Sequence, residues 1–173
     1  MKLKQIIKPE LIQSRVKELG SEISRDFKDR SLVAVCVLKG AFIFYADLMR
    51  SLSIEPEMDF VRMSSYANKT SSSGKVIFSK DMEISVKGKN VLIVEDIVDT
   101  GRSVSYLRRV LEGRDPESVS LCALIDKHER REVRVSVDYA GFVLQQGFIV
   151  GYGLDCAEKY RKLPGIHQLI PDK

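Results

Sequence analysis

No run of about 18 apolar residues, the length that spans a bilayer as a helix, occurs in this sequence. Its opening, Met1-Lys2-Leu3-Lys4, leads into a charged amphipathic stretch rather than an apolar secretory core. The expectation is a cytoplasmic protein with no membrane partner. Cysteine is scarce: Cys36, Cys122 and Cys156 are odd in number, far apart and without Cys-x-x-Cys pairing, which excludes the usual zinc and thiol-redox frameworks. Cys36 and Cys122 lie in apolar runs and read as core. His128 and His167 fit neither a Ser-His-Asp arrangement nor metal-ligand spacing and read as surface residues. Neither a Gly-x-x-x-x-Gly-Lys-Ser/Thr loop nor a Gly-x-Gly-x-x-Gly turn is present, so the triphosphate and dinucleotide sites built on them are excluded. Without an internal repeat, low-complexity tract or linker, residues 1–173 read as a single domain.

What is present is the composition of a globular protein. With 44% hydrophobic and 30% charged residues, the chain can bury a core without cross-links. The net charge of +4 permits anionic substrates or a nucleic-acid surface and decides for neither. Ile12, Val16, Leu19, Ile23 and Phe27 recur at helical spacing, predicting an amphipathic helix from Pro9 to about Arg30, with the proline in its first turn. Leu32 to Leu38 reads as a buried strand, Lys39-Gly40 as a tight turn, and Ala41 to Leu52 as a helix. Glu57 to Tyr66 and Lys75 to Lys80 look extended and bracket a polar loop, Ala67 to Gly74. A second strand-turn-helix unit runs from Val91 through an acidic turn to a helix bearing Val104, Leu107, Val110 and Leu111. Ser118–Ile125, Asp138–Leu144 and Phe148–Gly153 are further short strand-like runs. Strands alternating with helices predict an α/β fold with a mainly parallel sheet, whose ligands gather beyond the carboxyl ends of the strands.

The segment from Val91 to Ser103, Val-Leu-Ile-Val-Glu-Asp-Ile-Val-Asp-Thr-Gly-Arg-Ser, carries the chemistry. A buried strand delivers Glu95 and Asp96 to the sheet edge, where paired carboxylates can accept hydrogen bonds from vicinal sugar hydroxyls. The turn Asp99-Thr100-Gly101-Arg102-Ser103 then opens a helix, so that free backbone N–H groups, two hydroxyls and the helix dipole can face a phosphate. Capping alone would explain an isolated acidic pair. A diol site beside a phosphate site on one short turn describes a ribose 5-phosphate.

At these residues the sequence resembles the phosphoribosyl pyrophosphate motif of the type I phosphoribosyltransferases. Leu38-Lys39-Gly40 is similar to the pyrophosphate turn of the hypoxanthine-guanine phosphoribosyltransferases, and Ser64-Ser65-Tyr66 to the start of their flexible loop. Asp126-Lys127 with Arg130-Arg131 resembles their base-reading segment, and Phe148 to Asp155 with Tyr160 to Pro164 their C-terminal motifs. Ala67 and Gln145-Gln146 depart from the family pattern. The resemblance implies a central sheet flanked by helices with a small hood formed by terminal segments, and transfer of a phosphoribosyl group to a 6-oxopurine. Asp99 is the implied general base for the purine N7 proton. Glu95, Asp96, Asp99, Thr100, Gly101, Arg102 and Ser103 are implied to hold ribose and phosphate, and Lys39, Gly40 and Arg161 the pyrophosphate. Lys127 would donate to the exocyclic O6, Phe148 would stack on the base, and the Ile149 backbone would meet its edge. Mg²⁺ is the implied cofactor, with Asp155, Glu95 and Asp96 on the metal side. A homodimer or homotetramer is implied as well. A competing reading, a nucleotide-sensing regulator that binds RNA or DNA on the same fold, is opposed by the intact Asp99 and by the lack of an aromatic-basic platform.

Overall fold

In the computed structural model, which describes residues 1–66 and 75–171, the central strands follow directly from their apolar runs. β2 (Leu32–Leu38), β5 (Asn90–Val98) and β6 (Ser118–Lys127) lie side by side and parallel. They are apolar without alternation because both faces are covered. Leu32, Ala34, Cys36, Leu92, Val94, Cys122 and Leu124 pack toward α1 (Pro9–Asp26) and α2 (Phe42–Ser51). The intervening residues, among them Val33, Val35, Val91, Ile93 and Leu121, pack on the opposite face with Val104, Leu107 and Leu111 of α3 (Arg102–Glu112). The sheet is completed by β3 (Glu57–Tyr66), β4 (Lys75–Lys80) and β7 (Tyr139–Leu144), in the order β4-β3-β2-β5-β6-β7. Only the β3–β4 pairing is antiparallel, so the expected mainly parallel sheet is found.

Helix α1 stops at Asp26, four residues before the expected end. Its stripe of Ile12, Val16, Leu19 and Ile23 is buried, each aliphatic side chain contributing roughly 1.5–3 kcal/mol. Phe27 is also buried, but as the C-cap residue, and Asp29 follows at φ 59, so the chain has already turned away. A second, antiparallel sheet was only partly legible. It joins β1 (Lys2–Ile7), β8 (Ile149–Val150) and β9 (Ile166–Ile170) in the order β1-β9-β8 and supplies the hood expected from terminal segments. The N-terminus is therefore a strand, and of the expected strand Phe148–Gly153 only Ile149 and Val150 join the sheet, Gly151 forming an isolated bridge to Leu154.

Candidate active site

The sheet positions the site by letting one neighbour go. β5 pairs with β2 only as far as Cys36↔Val94, whereas its pairing with β6 continues to Val98↔Asp126. Glu95 and Asp96 therefore belong to the strand, not to a turn as expected, and stand where β2 has peeled away. Side chains of neighbouring strand residues point apart. Glu95 lines a cavity of about 120 Å³ with Val98, Asp99, Thr100, Gly101 and Ser103, while Asp96 lies against Gly40: a Cβ there would sit 1.6 Å from Asp96 Oδ2. Burial pushes the Glu95 carboxyl well above its ordinary range, and the Asp96 charge adds to this. Burial raises Asp96 too, opposed by its hydrogen bonds to Glu95 and Ile97 and by the Arg161 charge. Such a desolvated pair gains from hydroxyl donors.

Beyond β5, the backbone turns at Gly101, which has φ 82 and abuts the Val133 carbonyl, 2.6 Å from where a Cβ would stand. Glycine is required here by its backbone angle and by protein packing. The Thr100 carbonyl accepts the Glu132 and Val133 N–H groups, both at 3.0 Å, the Arg102 N–H donates to Thr100 Oγ1 at 3.4 Å, and the start of α3 lines the cavity with Gly101 and Ser103. Arg102, expected among the phosphate contacts, pairs its guanidinium with Glu132 and is largely exposed.

Asp99 stands between this cavity and Lys127. Its Oδ1 is buried without a hydrogen-bond partner, 3.5 Å from Lys127 Nζ, and Arg130 Nη1 lies 3.7 Å from Oδ2. An acceptor left open in a buried position is costly unless a ligand fills it. Lys127 is only 5% exposed, unlike an ordinary surface lysine, and its Nζ donates to the Gly147 carbonyl at 3.2 Å. That bond brings the end of β6 to the residue preceding Phe148, which is 55% exposed, while Ile149 is buried in β8.

The residues expected to hold pyrophosphate, Lys39, Gly40 and Arg161, lie on the other side of Asp96. The Leu38–Lys39 peptide is cis. Arg161 donates to the Gly153 carbonyl at 2.8 Å and pairs with Asp155 Oδ1 at 2.9 Å. Its Nε is buried and unpartnered. Glu158, which sequence reasoning missed, accepts from both Lys39 (2.9 Å) and Arg161 (3.3 Å), and the two cations hold its carboxyl below the usual range. An exposed carboxylate bridging two cations marks a place where anionic oxygens are favoured. Asp155 caps no helix; it accepts the Glu158 N–H at 2.8 Å across the turn from Cys156 to Lys159. Among the described residues no three acidic, His or Cys side chains form a metal cage, so Asp155 does not join Glu95 and Asp96 in one cluster. The expected polar loop, Ala67 to Gly74, lies outside the described residues, as do the side chains of Ser64, Ser65 and Tyr66, whose backbones end β3.

Arg131 looked like part of a base-reading segment, but it faces the backbone. Its Nε donates to the Asp99 carbonyl (2.9 Å), and its Nη2 to those of Val98 (2.9 Å) and Lys127 (3.0 Å) and to the Asp126 carboxylate. One guanidinium thus holds the carboxyl ends of β5 and β6 together beneath Asp99 and Lys127. Lysine offers the charge without the fork. Arg131→Lys is expected to lower Tm by about 5 °C, the loss of one or two net hydrogen bonds in a domain of this size, measured by scanning calorimetry.

Amides that take a phosphate beside carboxylates that take a diol are what a phosphoribosyl donor requires, and the class they define is the phosphoribosyltransferases. The family profile of the phosphoribosyl transferase domain matches residues 3–157. The chain is 45% identical over 168 residues to the hypoxanthine-guanine phosphoribosyltransferase of Bacillus subtilis, covering 97% of this chain and 93% of that one. A crystal structure of a hypoxanthine-guanine phosphoribosyltransferase from Bacillus anthracis, 44% identical, matches with a TM-score of 0.92 over 98% of this chain and 100% of that one. The chain belongs to the hypoxanthine-guanine phosphoribosyltransferase family, with its type I fold. It is also 46% identical over 169 residues to the bifunctional protein TilS/HprT of Listeria innocua; the match takes in 98% of this chain and spans about a quarter (26%) of that relative.

Proposed function

We propose that this chain transfers the 5-phosphoribosyl group from phosphoribosyl pyrophosphate to hypoxanthine or guanine, releasing pyrophosphate and giving IMP or GMP for purine salvage. The observation that carries this reading is Asp99: an open, buried carboxylate oxygen 3.5 Å from the Lys127 ammonium, on the turn that binds the phosphate. The bond from the anomeric carbon to pyrophosphate breaks, a bond to a purine ring nitrogen forms, and the proton on N7 passes to or is stabilised by Asp99. Glu95 and Asp96 orient the ribose through its hydroxyls, and the amides at Thr100 to Ser103 hold the 5-phosphate. Lys39, Gly40 and Arg161 receive the leaving group. Lys127 donates to O6, which selects oxopurines over adenine because an amino group cannot accept that bond. The ring of Phe148 is exposed to stack on the base, and the Ile149 backbone meets its edge.

The donor set suits Mg²⁺, a hard cation that takes phosphate, hydroxyl and water oxygens with few protein carboxylates. Asp155 would hold it at the rim, with Glu95 and Asp96 acting through the ribose hydroxyls. When bound it neutralises the charge of the leaving pyrophosphate. Action in the cytoplasm and assembly as a homodimer or homotetramer belong to the same proposal. No helix among the described residues is long and apolar enough to cross a membrane, and Phe42, Met58 and Phe60 are exposed apolar side chains that an assembly could cover.

The test is a panel of purines and pyrimidines with phosphoribosyl pyrophosphate and Mg²⁺, read by product chromatography. IMP from hypoxanthine and GMP from guanine are expected, and no product from any oxopurine would contradict the reading. In the same panel Lys127→Met is expected to raise KM for hypoxanthine by about tenfold or more, the worth of one charge-assisted hydrogen bond.

A further inference from the structure

Tyr152 is buried between β8 and the turn to Asp155, with φ 50, a left-handed conformation that a tyrosine holds only when its surroundings impose it. Its N–H donates to the Leu163 carbonyl at 2.8 Å, and the next N–H, that of Gly153, to the Arg161 carbonyl at 2.9 Å. These bonds tie the turn to the segment that carries Arg161. On its other side the phenol donates to Asp47 Oδ2 in α2, and Asp47 Oδ1 accepts the Arg50 guanidinium. Burial and the Asp47 carboxylate raise the phenol above its ordinary range, so it remains an O–H donor.

Helix α2 directly follows the Lys39-Gly40 turn. The Gly40 carbonyl approaches Gly153 so closely that a Cβ on Gly153 would lie 2.0 Å from it. The two segments with the pyrophosphate contacts, Lys39-Gly40 and Gly153 to Arg161, therefore touch beside the site, where the exposed Lys39–Glu158 ion pair also links them, and are joined a second time, away from it, through Asp47 and Tyr152. One attachment fixes a distance; a second fixes the angle. Asp47 lies on the wall of a surface cavity with Gln13, Lys17 and Arg50, and Tyr152 points toward it, so neither side chain reaches the substrate cavity.

We propose that Tyr152 and Asp47 form a positioning pair that sets the two halves of the pyrophosphate site relative to each other and thereby governs affinity for the phosphoribosyl donor. This rests on the transfer reaction proposed above. Steady-state kinetics of the full chain, varying donor and purine separately, provide the test, with Tm measured for each variant. Tyr152→Phe removes one hydroxyl. It is expected to raise KM for phosphoribosyl pyrophosphate by about tenfold, a hydrogen bond to a charged group being worth at least that, with KM for hypoxanthine within about twofold of wild type. Asp47→Asn keeps a carbonyl acceptor for the phenol and should restore most of the donor affinity that Asp47→Leu loses. The double variant Tyr152→Phe/Asp47→Leu should be no weaker for the donor than the poorer single variant, as a coupled pair requires. An unchanged donor KM in Tyr152→Phe, whatever its Tm, would overturn the proposal; so would an equal rise in KM for both substrates, or multiplicative effects in the double variant. Absence of transfer by the wild-type chain would instead overturn the reaction itself.

Discussion

Replacing Asp99 by Asn is expected to lower kcat for hypoxanthine by about a hundredfold or more while moving KM for the donor little, the pattern of a group that acts on a proton in the transition state. The amide has the same shape, and its oxygen can still face Lys127, so the phosphate turn and the Arg131 contacts to the Val98 and Asp99 carbonyls have no reason to shift. What is lost is a carboxylate able to take the N7 proton. Steady-state kinetics with each substrate varied will show this; wild-type kcat would remove Asp99 from the mechanism.

Gly40→Ala should act as strongly by another route. The new Cβ would stand 1.6 Å from Asp96 Oδ2 and 2.5 Å from its Cγ. Asp96 cannot easily give way, because its Oδ1 accepts the Ile97 N–H at 2.8 Å and it is walled in between β5 and the turn. Either the carboxylate leaves the ribose edge or the Lys39-Gly40 turn moves off by an ångström or so. Misplacement on that scale costs on the order of a hundredfold in kcat/KM for the donor, and over-packing costs about 1–3 kcal/mol of stability. Donor kinetics and denaturant unfolding check the two parts; a variant with normal kcat/KM would show that the close approach of Gly40 to Asp96 does not matter to the site.

What could be read from the sequence was what lies close together in it. Val91 to Ser103 is contiguous, so strand, carboxylates, turn and helix start appear in order. Leu32–Leu38, apolar on both faces, announced a central strand and was found with those bounds. β1 and β9 gave little signal because they are short and bury little: β1, an edge strand, buries only Ile7, and β9, central in its sheet, only Ile166 and Leu169. The extra length of β5 was hidden because its last residues include charged ones that the β6 pairing keeps extended. Other features depend on chain crossings that no local pattern reports. Arg131 meets carbonyls at Val98 and Asp99 more than thirty positions away. Glu158 bridges Lys39 and Arg161, and Tyr152 finds Asp47 across 105 positions. The Arg102–Glu132 ion pair was hidden for the same reason, since Glu132 comes from a distant loop.

Titration calorimetry of phosphoribosyl pyrophosphate into the protein with Mg²⁺ addresses the central claim, that the end of β5 and the start of α3 hold a phosphorylated ribose. Saturable binding of one donor per chain is expected, with no comparable heat from ribose lacking the 5-phosphate. Absence of donor binding, or equal binding of the unphosphorylated sugar, would contradict it.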